Sequence, residues 1–229
     1  MAAGPVRDDD ALAAGLQRWL AHSDAAASGQ LRGARIDTLR RPSSGWTNET
    51  VIVDLSPAGL AVRTAVLRMP PVVSSFPDQD VAFEAAVLQS LAPTPVPVPA
   101  VIATELDEQW VGAPFVAMTC VDGHVVGDVP ALDEWLGHLG VDGQRARHEA
   151  FVAMLATLHR CDVDAEPVTQ PMRDGIGDEL EYWERYLAWA SDGPPTRRLS
   201  DALAWCRETA PGPDRAARSR LWAMPGSAT

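Results

Sequence analysis

The hydrophobic pattern of this chain changes period near residue 120, and that change limits the possible fold more than any single motif does. Before it, β-branched and apolar residues come in short extended runs. After Asp122-Gly123 they recur at helical spacing, over 131–139, 144–161, 178–190 and 196–209. A sheet with helices followed by an all-helical half is therefore expected, an α+β fold.

Within the first half, Asp8-Asp9-Asp10 precede Leu12, Leu16, Trp19 and Leu20, the pattern of a helix of about three turns with acids at its positive pole. The runs 35–39 and 50–55 are rich in β-branched residues and read as strands. Ser56-Pro57-Ala58-Gly59 has turn chemistry, and 60–68 resumes as an extended run, so residues 50–68 read as a hairpin. Pro77-Asp78 opens a helix carrying Val81, Phe83, Ala86, Val87 and Leu91. Pro93, Pro95, Pro97 and Pro99 then forbid helix and force an extended connector into strands at 98–104 and 115–118. From Pro211 onward the tail is arginine-rich and shows neither period.

Composition excludes several classes. A net charge of −12 argues against a nucleic-acid surface or an anionic membrane, which both demand clustered positive charge. The start of the chain ends in acids, not in the apolar stretch of a secretory signal, and no run reaches membrane-span length. Cys120, Cys161 and Cys206 are widely spaced, without a metal-ligand pattern, and suit a reducing compartment; a cytoplasmic location is expected. The chain contains no lysine, so every cation that could meet a phosphate on a side chain is an arginine.

The residues with chemical potential follow an order: strand, glycine-containing turn, hairpin, basic residue on the third strand, glutamate on the next helix. Ser44 and Gly45 sit in a turn whose small side chains would let backbone N–H groups approach phosphate oxygens, although an ordinary β-turn has the same composition. Asn48 is placed to brace that turn through its side chain. Arg68 and Glu84 can form an ion pair, or stand separately as a strand-end arginine and a solvated glutamate. Trp183, Trp189, Tyr182 and Tyr186 lie at helical spacing and read as a packed face. His159 ends a long helix, where the negative pole of the dipole suits it.

This order resembles the aminoglycoside phosphotransferase and choline-kinase-like family, in particular the branch associated with acyl-CoA dehydrogenases. The resemblance rests on residues 44–50, Val66-Leu67-Arg68, Phe83-Glu84 with Val87-Leu88, Val96-Pro97-Val98-Pro99, residues 112–118 with Val121-Asp122-Gly123, and residues 155–159. It implies a protein-kinase-like fold: an antiparallel-sheet N-lobe over 1–118, a hinge at 119–121, and a partial helical C-lobe over 122–210. It also implies an ATP- and Mg²⁺-dependent transfer of the γ-phosphoryl group to a hydroxyl of a small molecule. In that reading Ser44, Gly45 and Asn48 cover the phosphates, while Arg68 faces them, paired with Glu84, where kinases usually carry lysine. The backbone at Met118, Thr119 and Val121 holds adenine, and Cys120 is a small buried hydrophobe.

One part of the family pattern is missing. The catalytic loop resembles His/Trp-Gly-Asp-x-x-x-x-Asn, whose Asp meets the acceptor hydroxyl and whose Asn holds Mg²⁺ with a later Asp. Leu221-Trp222 resembles its lead-in, but residues 223–229 read Ala-Met-Pro-Gly-Ser-Ala-Thr. Those residues are compatible with codons that read Gly-Asp-Ala-Arg-Leu-Gly-Asn once a single G is restored after Trp222. The expectation is a truncated reading frame with a non-native tail over 211–229, no catalytic or metal-ligating residue, and no phosphoryl transfer by these 229 residues. The competing expectation is a non-catalytic module that binds a nucleotide or a partner.

Overall fold

A computed structural model of the chain describes residues 5–28, 31–42, 48–56, 62–77, 79–126, 133–161, 176–191 and 196–210. Its elements run α1 (Asp9–His22), α2 (Asp24–Ser28), β1 (Arg35–Arg40), β2 (Glu49–Ser56), β3 (Thr64–Met69), α3 (Val81–Leu91), β4 (Val101–Glu105), β5 (Phe115–Thr119), α4 (Glu134–His138), α5 (Gly140–Arg160), α6 (Ile176–Ala190) and α7 (Arg197–Thr209). The five strands form one antiparallel sheet in the order β1-β2-β3-β5-β4.

The alternation of β2 and β3 decides what each sheet face meets. Val51, Val53 and Leu55 of β2, with Ala65, Leu67 and Met69 of β3, turn to one face and join Leu12, Leu16, Trp19 and Leu20 of α1. Trp19 meets Phe115 of β5 edge to face, with ring centroids 5.0 Å apart. Each such leucine contributes ~1.5–3 kcal/mol relative to an exposed one, so this is the principal core. Asp8 caps α1 by accepting from the Ala11 N–H at 2.9 Å. Gly15 lets the helix approach the sheet's far loop: a Cβ there would stand 2.1 Å from the Trp110 carbonyl oxygen.

The opposite face carries a smaller cluster, Ala85, Val116 and Met118, with Val66, Leu88 and Val101 packed on it. Here α3 lies across β4 and β5, capped by Asp80, whose carboxylate accepts from Ala82 and Phe83. The same alternation that buries Leu67 and Met69 on the α1 side turns Val66 and Arg68 toward α3.

Several boundaries differ from expectation. The third extended run is a strand only from Thr64, residues 57–61 lying outside the described residues. The connector stays irregular to Ala100, and β4 starts at Val101, three residues late, because alternate prolines remove ladder donors. The short α2 is unexpected; its alanines carry no amphipathic repeat. The long helix begins at Gly140 and not at 144: with φ +64°, Gly140 ends α4 in a left-handed turn and α5 starts at once.

After β5 every described element is a helix. Among the described residues α5 and α7 have no buried residue and α6 has only Tyr182. Phe151, Trp183, Trp189 and Trp205 stand exposed, so the apolar faces of these helices are open. No helix among the described residues is long and apolar enough to cross a membrane.

Candidate functional site

Arg68 and Glu84 are brought together. The Arg68 Nη1 lies 2.7 Å from the Glu84 Oε1, and both side chains are largely sheltered. Strand alternation aims the arginine at α3, and the first turn of α3, capped by Asp80, carries the glutamate. Burial raises the Glu84 carboxyl pKa above its ordinary value, and the Arg68 charge opposes that rise. The pair is thus a sheltered charge couple, with the Arg68 side chain 32% exposed and the Glu84 side chain 20%. A guanidinium held by one carboxylate retains donors for an anion, because its fork carries five N–H groups.

The sheet's end beside this pair holds a second charge cluster, which sequence reasoning missed. The Glu49 side chain, only 2% exposed, accepts from Arg41 Nη1 at 2.8 Å and from the Arg7 backbone N–H at 3.1 Å, and also pairs with the Arg7 guanidinium. Arg7 further donates to the Pro70 carbonyl at 2.9 Å, and Arg41 to the Arg7 carbonyl at 2.9 Å and to Asp9 at 2.8 Å. Burial alone would lower the Arg41 pKa; its hydrogen bonds to Glu49 and Asp9 outweigh that and hold it raised. Arg41 precedes and Glu49 follows the segment 43–47. Ser44 and Gly45 belong to that segment and lie outside the described residues, as do Leu221, Trp222 and the whole tail 211–229. Asn48 is half-buried directly before β2; the turn it was expected to brace is not among the described residues.

At the other end of β5, Met118 is buried and pairs with Val66 and Val101 on the flanking strands. Thr119 is tied to the connector: its N–H donates to the Ala100 carbonyl at 2.9 Å, and its Oγ1 accepts from the Ala100 N–H at 2.9 Å. Cys120 is half-buried and Val121 is 69% exposed. Just beyond, the His124 Nε2 lies 2.9 Å from Asp133 Oδ2 and its ring stacks on Trp135 at 4.6 Å.

The arrangement fits an anion at Arg68. Among the described residues no three His, Cys, Asp or Glu side chains converge on one point. Arg68 and Glu84, expected as a pair, are a pair; Glu49 escaped because its partner Arg7 is 42 residues away and nothing local marks a buried carboxylate.

Comparison with known proteins bears on the same residues. A crystal structure from Ralstonia eutropha JMP134, assigned as a candidate aminoglycoside phosphotransferase, superposes with a TM-score of 0.55 at 21% identity, over 93% of this chain and 56% of that one. The α+β kinase-like fold is therefore shared. The "Probable acyl-CoA dehydrogenase IBR3" of Arabidopsis thaliana is 28% identical over 179 residues, 74% of this chain and 21% of that protein. The chain thus spans about a fifth of that curated relative and little more than half of the solved one. Finally, a model described as the phosphotransferase enzyme family matches residues 38–221, from β1 to the end of α7 and beyond. With Arg68, Glu84 and the whole sheet from Thr38 onward inside that match, the chain belongs to the phosphotransferase enzyme family.

Proposed function

We propose that this phosphotransferase-family chain carries the nucleotide side of a reaction that moves the γ-phosphoryl group of ATP to a hydroxyl of a small molecule. The carrying observation is the 2.7 Å Arg68–Glu84 pair on the α3 face of the sheet. Phosphoryl transfer is mostly positioning and neutralising charge, and an arginine fixed by a glutamate presents its remaining donors in one plane. In this reading Ser44, Gly45 and Asn48 cover the phosphates, and residues 1–118 and 122–210 act as two lobes about a hinge at 119–121. Because the Thr119 N–H is already bonded to Ala100, adenine is held by the backbone beyond it, at Cys120 and Val121. Met118 then acts as the apolar floor behind the hinge.

We assign nucleotide binding to this polypeptide, whose 229 residues contain no His/Trp-Gly-Asp-x-x-x-x-Asn segment. The acceptor class, a hydroxylated metabolite of acyl type, is suggested by the similarity to the acyl-CoA-dehydrogenase-named relative. Calorimetric titration with ATP, with and without Mg²⁺, tests the assignment. Saturable binding that Arg68→Ala abolishes supports it; the absence of binding by the unaltered chain contradicts it.

A further inference from the structure

The segment 70–80 joins β3, which carries Arg68, to α3, which carries Glu84, so its geometry sets how the two charges meet. It is fastened near both ends. At its start the Pro70 carbonyl accepts from Arg7 at 2.9 Å. Toward its end Phe76 is held in a tight turn: its N–H donates to Ser74 Oγ at 3.0 Å, and that hydroxyl donates to the Phe76 carbonyl at 2.5 Å. The Phe76 ring lies 5.7 Å, centroid to centroid, from Tyr186 of α6. Among the described residues this is the ring contact that joins the sheet half to the helical half.

Tyr186 is the hub of an aromatic rank on α6. Its centroid is 5.3 Å from Trp183, 5.9 Å from Trp189 and 6.4 Å from Tyr182, the buried member. Through Tyr186 the rank meets the segment that leads into α3. α3 lies on β4 and β5 with Val81, Ala85, Val87 and Leu91 buried, and its first turn, which carries Glu84, follows directly on that segment. Packed side chains transmit position over such distances.

We infer that Tyr186, acting through Phe76, is a positioning residue for the Arg68–Glu84 pair, so that the helical half sets how well the sheet half meets an anion. The inference rests on the nucleotide reading above for its consequence, but not for its geometry. Two readouts keep them apart. The first is the Nε–Hε resonance of Arg68 in ¹⁵N-arginine-labelled protein without nucleotide, assigned with Arg68→Ala. The second is the dissociation constant for ATP.

Tyr186→Ala moves the Arg68 resonance toward its position in Glu84→Gln, and Tyr186→Phe, which keeps the ring, leaves it in place. ATP binding weakens in Tyr186→Ala by about 2- to 30-fold, the range for residues that act on a site without touching its ligand. Trp189→Ala, which spares the Phe76 contact, changes neither readout. Where Tyr186→Ala does not give folded protein, Phe76→Ala reads the same contact from the sheet side. An Arg68 resonance unchanged in both alanine variants overturns the positioning role. If Arg68→Ala itself leaves ATP binding intact, the nucleotide reading fails, and the resonance alone still decides the coupling.

Discussion

The Arg68 guanidinium and the Glu84 carboxylate meet at 2.7 Å across the gap between β3 and α3, on the face of the sheet away from α1. Neither residue is rigid on its own. Strand alternation turns one toward the helix, and the Asp80 cap fixes the first turn that presents the other. On the proposed function, removing Arg68 deletes the cation offered to the phosphates. Arg68→Ala is expected to weaken ATP binding roughly 10- to 100-fold, the loss of a charge-assisted bond. Arg68→Lys recovers only part, since a point charge cannot hold glutamate and phosphate in one plane. Titration calorimetry of the two variants checks the order.

Glu84 also gives a pH signature. Burial raises its carboxyl pKa above the ordinary 4.5, with Arg68 limiting the rise. A raised folded-state value means that the native state binds the proton more tightly than the unfolded chain does. Its contribution to stability is complete below the ordinary value and is lost as pH rises through the raised one. The stability of the unaltered protein minus that of Glu84→Gln should therefore fall as pH rises above the ordinary carboxylate range. Urea unfolding at several pH values measures that difference. Asp54, whose pKa is lowered by hydrogen bonds from Thr38 and Thr64, acts with the opposite sign, but both proteins carry it and it cancels.

Glu49 is held by Arg7 and Arg41 with a side chain only 2% exposed. Removing the carboxylate takes from the Arg7 guanidinium its paired anion and leaves Arg41 with Asp9 alone. Glu49→Ala should cost about 3–5 kcal/mol of unfolding free energy, as breaking a buried ion pair does. The denaturation midpoint in urea reads this directly. Because Arg7 belongs to the stretch before α1, deleting residues 1–8 should give a loss in the same direction.

Gly15 makes a steric prediction. A methyl group at that position would sit 2.1 Å from the Trp110 carbonyl oxygen, which is backbone and cannot swing aside. Gly15→Ala should lower stability by about 1–3 kcal/mol even though alanine is the better helix former. A fall in Tm confirms the close approach; a rise, as propensity alone would give, contradicts it.

What could be read from the residues alone divides along physical lines. The sheet half was readable because β2 and β3 alternate cleanly and because prolines bound the helix between them and β5. The Arg68–Glu84 pair was readable for the same reason, since period and position suffice to aim a strand residue at a neighbouring helix. The Glu49 cluster was not, because its partners are assembled by the tertiary fold and a glutamate at a strand start is usually solvated. The start of α5 was misplaced because Gly140 looks like a breaker while serving as the left-handed hinge between two helices. The aromatic residues of α6 were expected as a packed face. Tyr182 is buried and Tyr186 meets Phe76, but Trp183 and Trp189 stay exposed, as helical spacing alone cannot say what covers each position.

The central claim is that the Arg68–Glu84 pair is where the nucleotide phosphates are received. Since the chain has no lysine, ¹⁵N-arginine labelling reports every long cationic side chain at once. ATP titrated into labelled protein should shift the Arg68 Nε–Hε resonance along a saturating curve, with that response lost in Glu84→Gln. If ATP binds and the Arg68 resonance stays fixed, the phosphates are held elsewhere and the account fails.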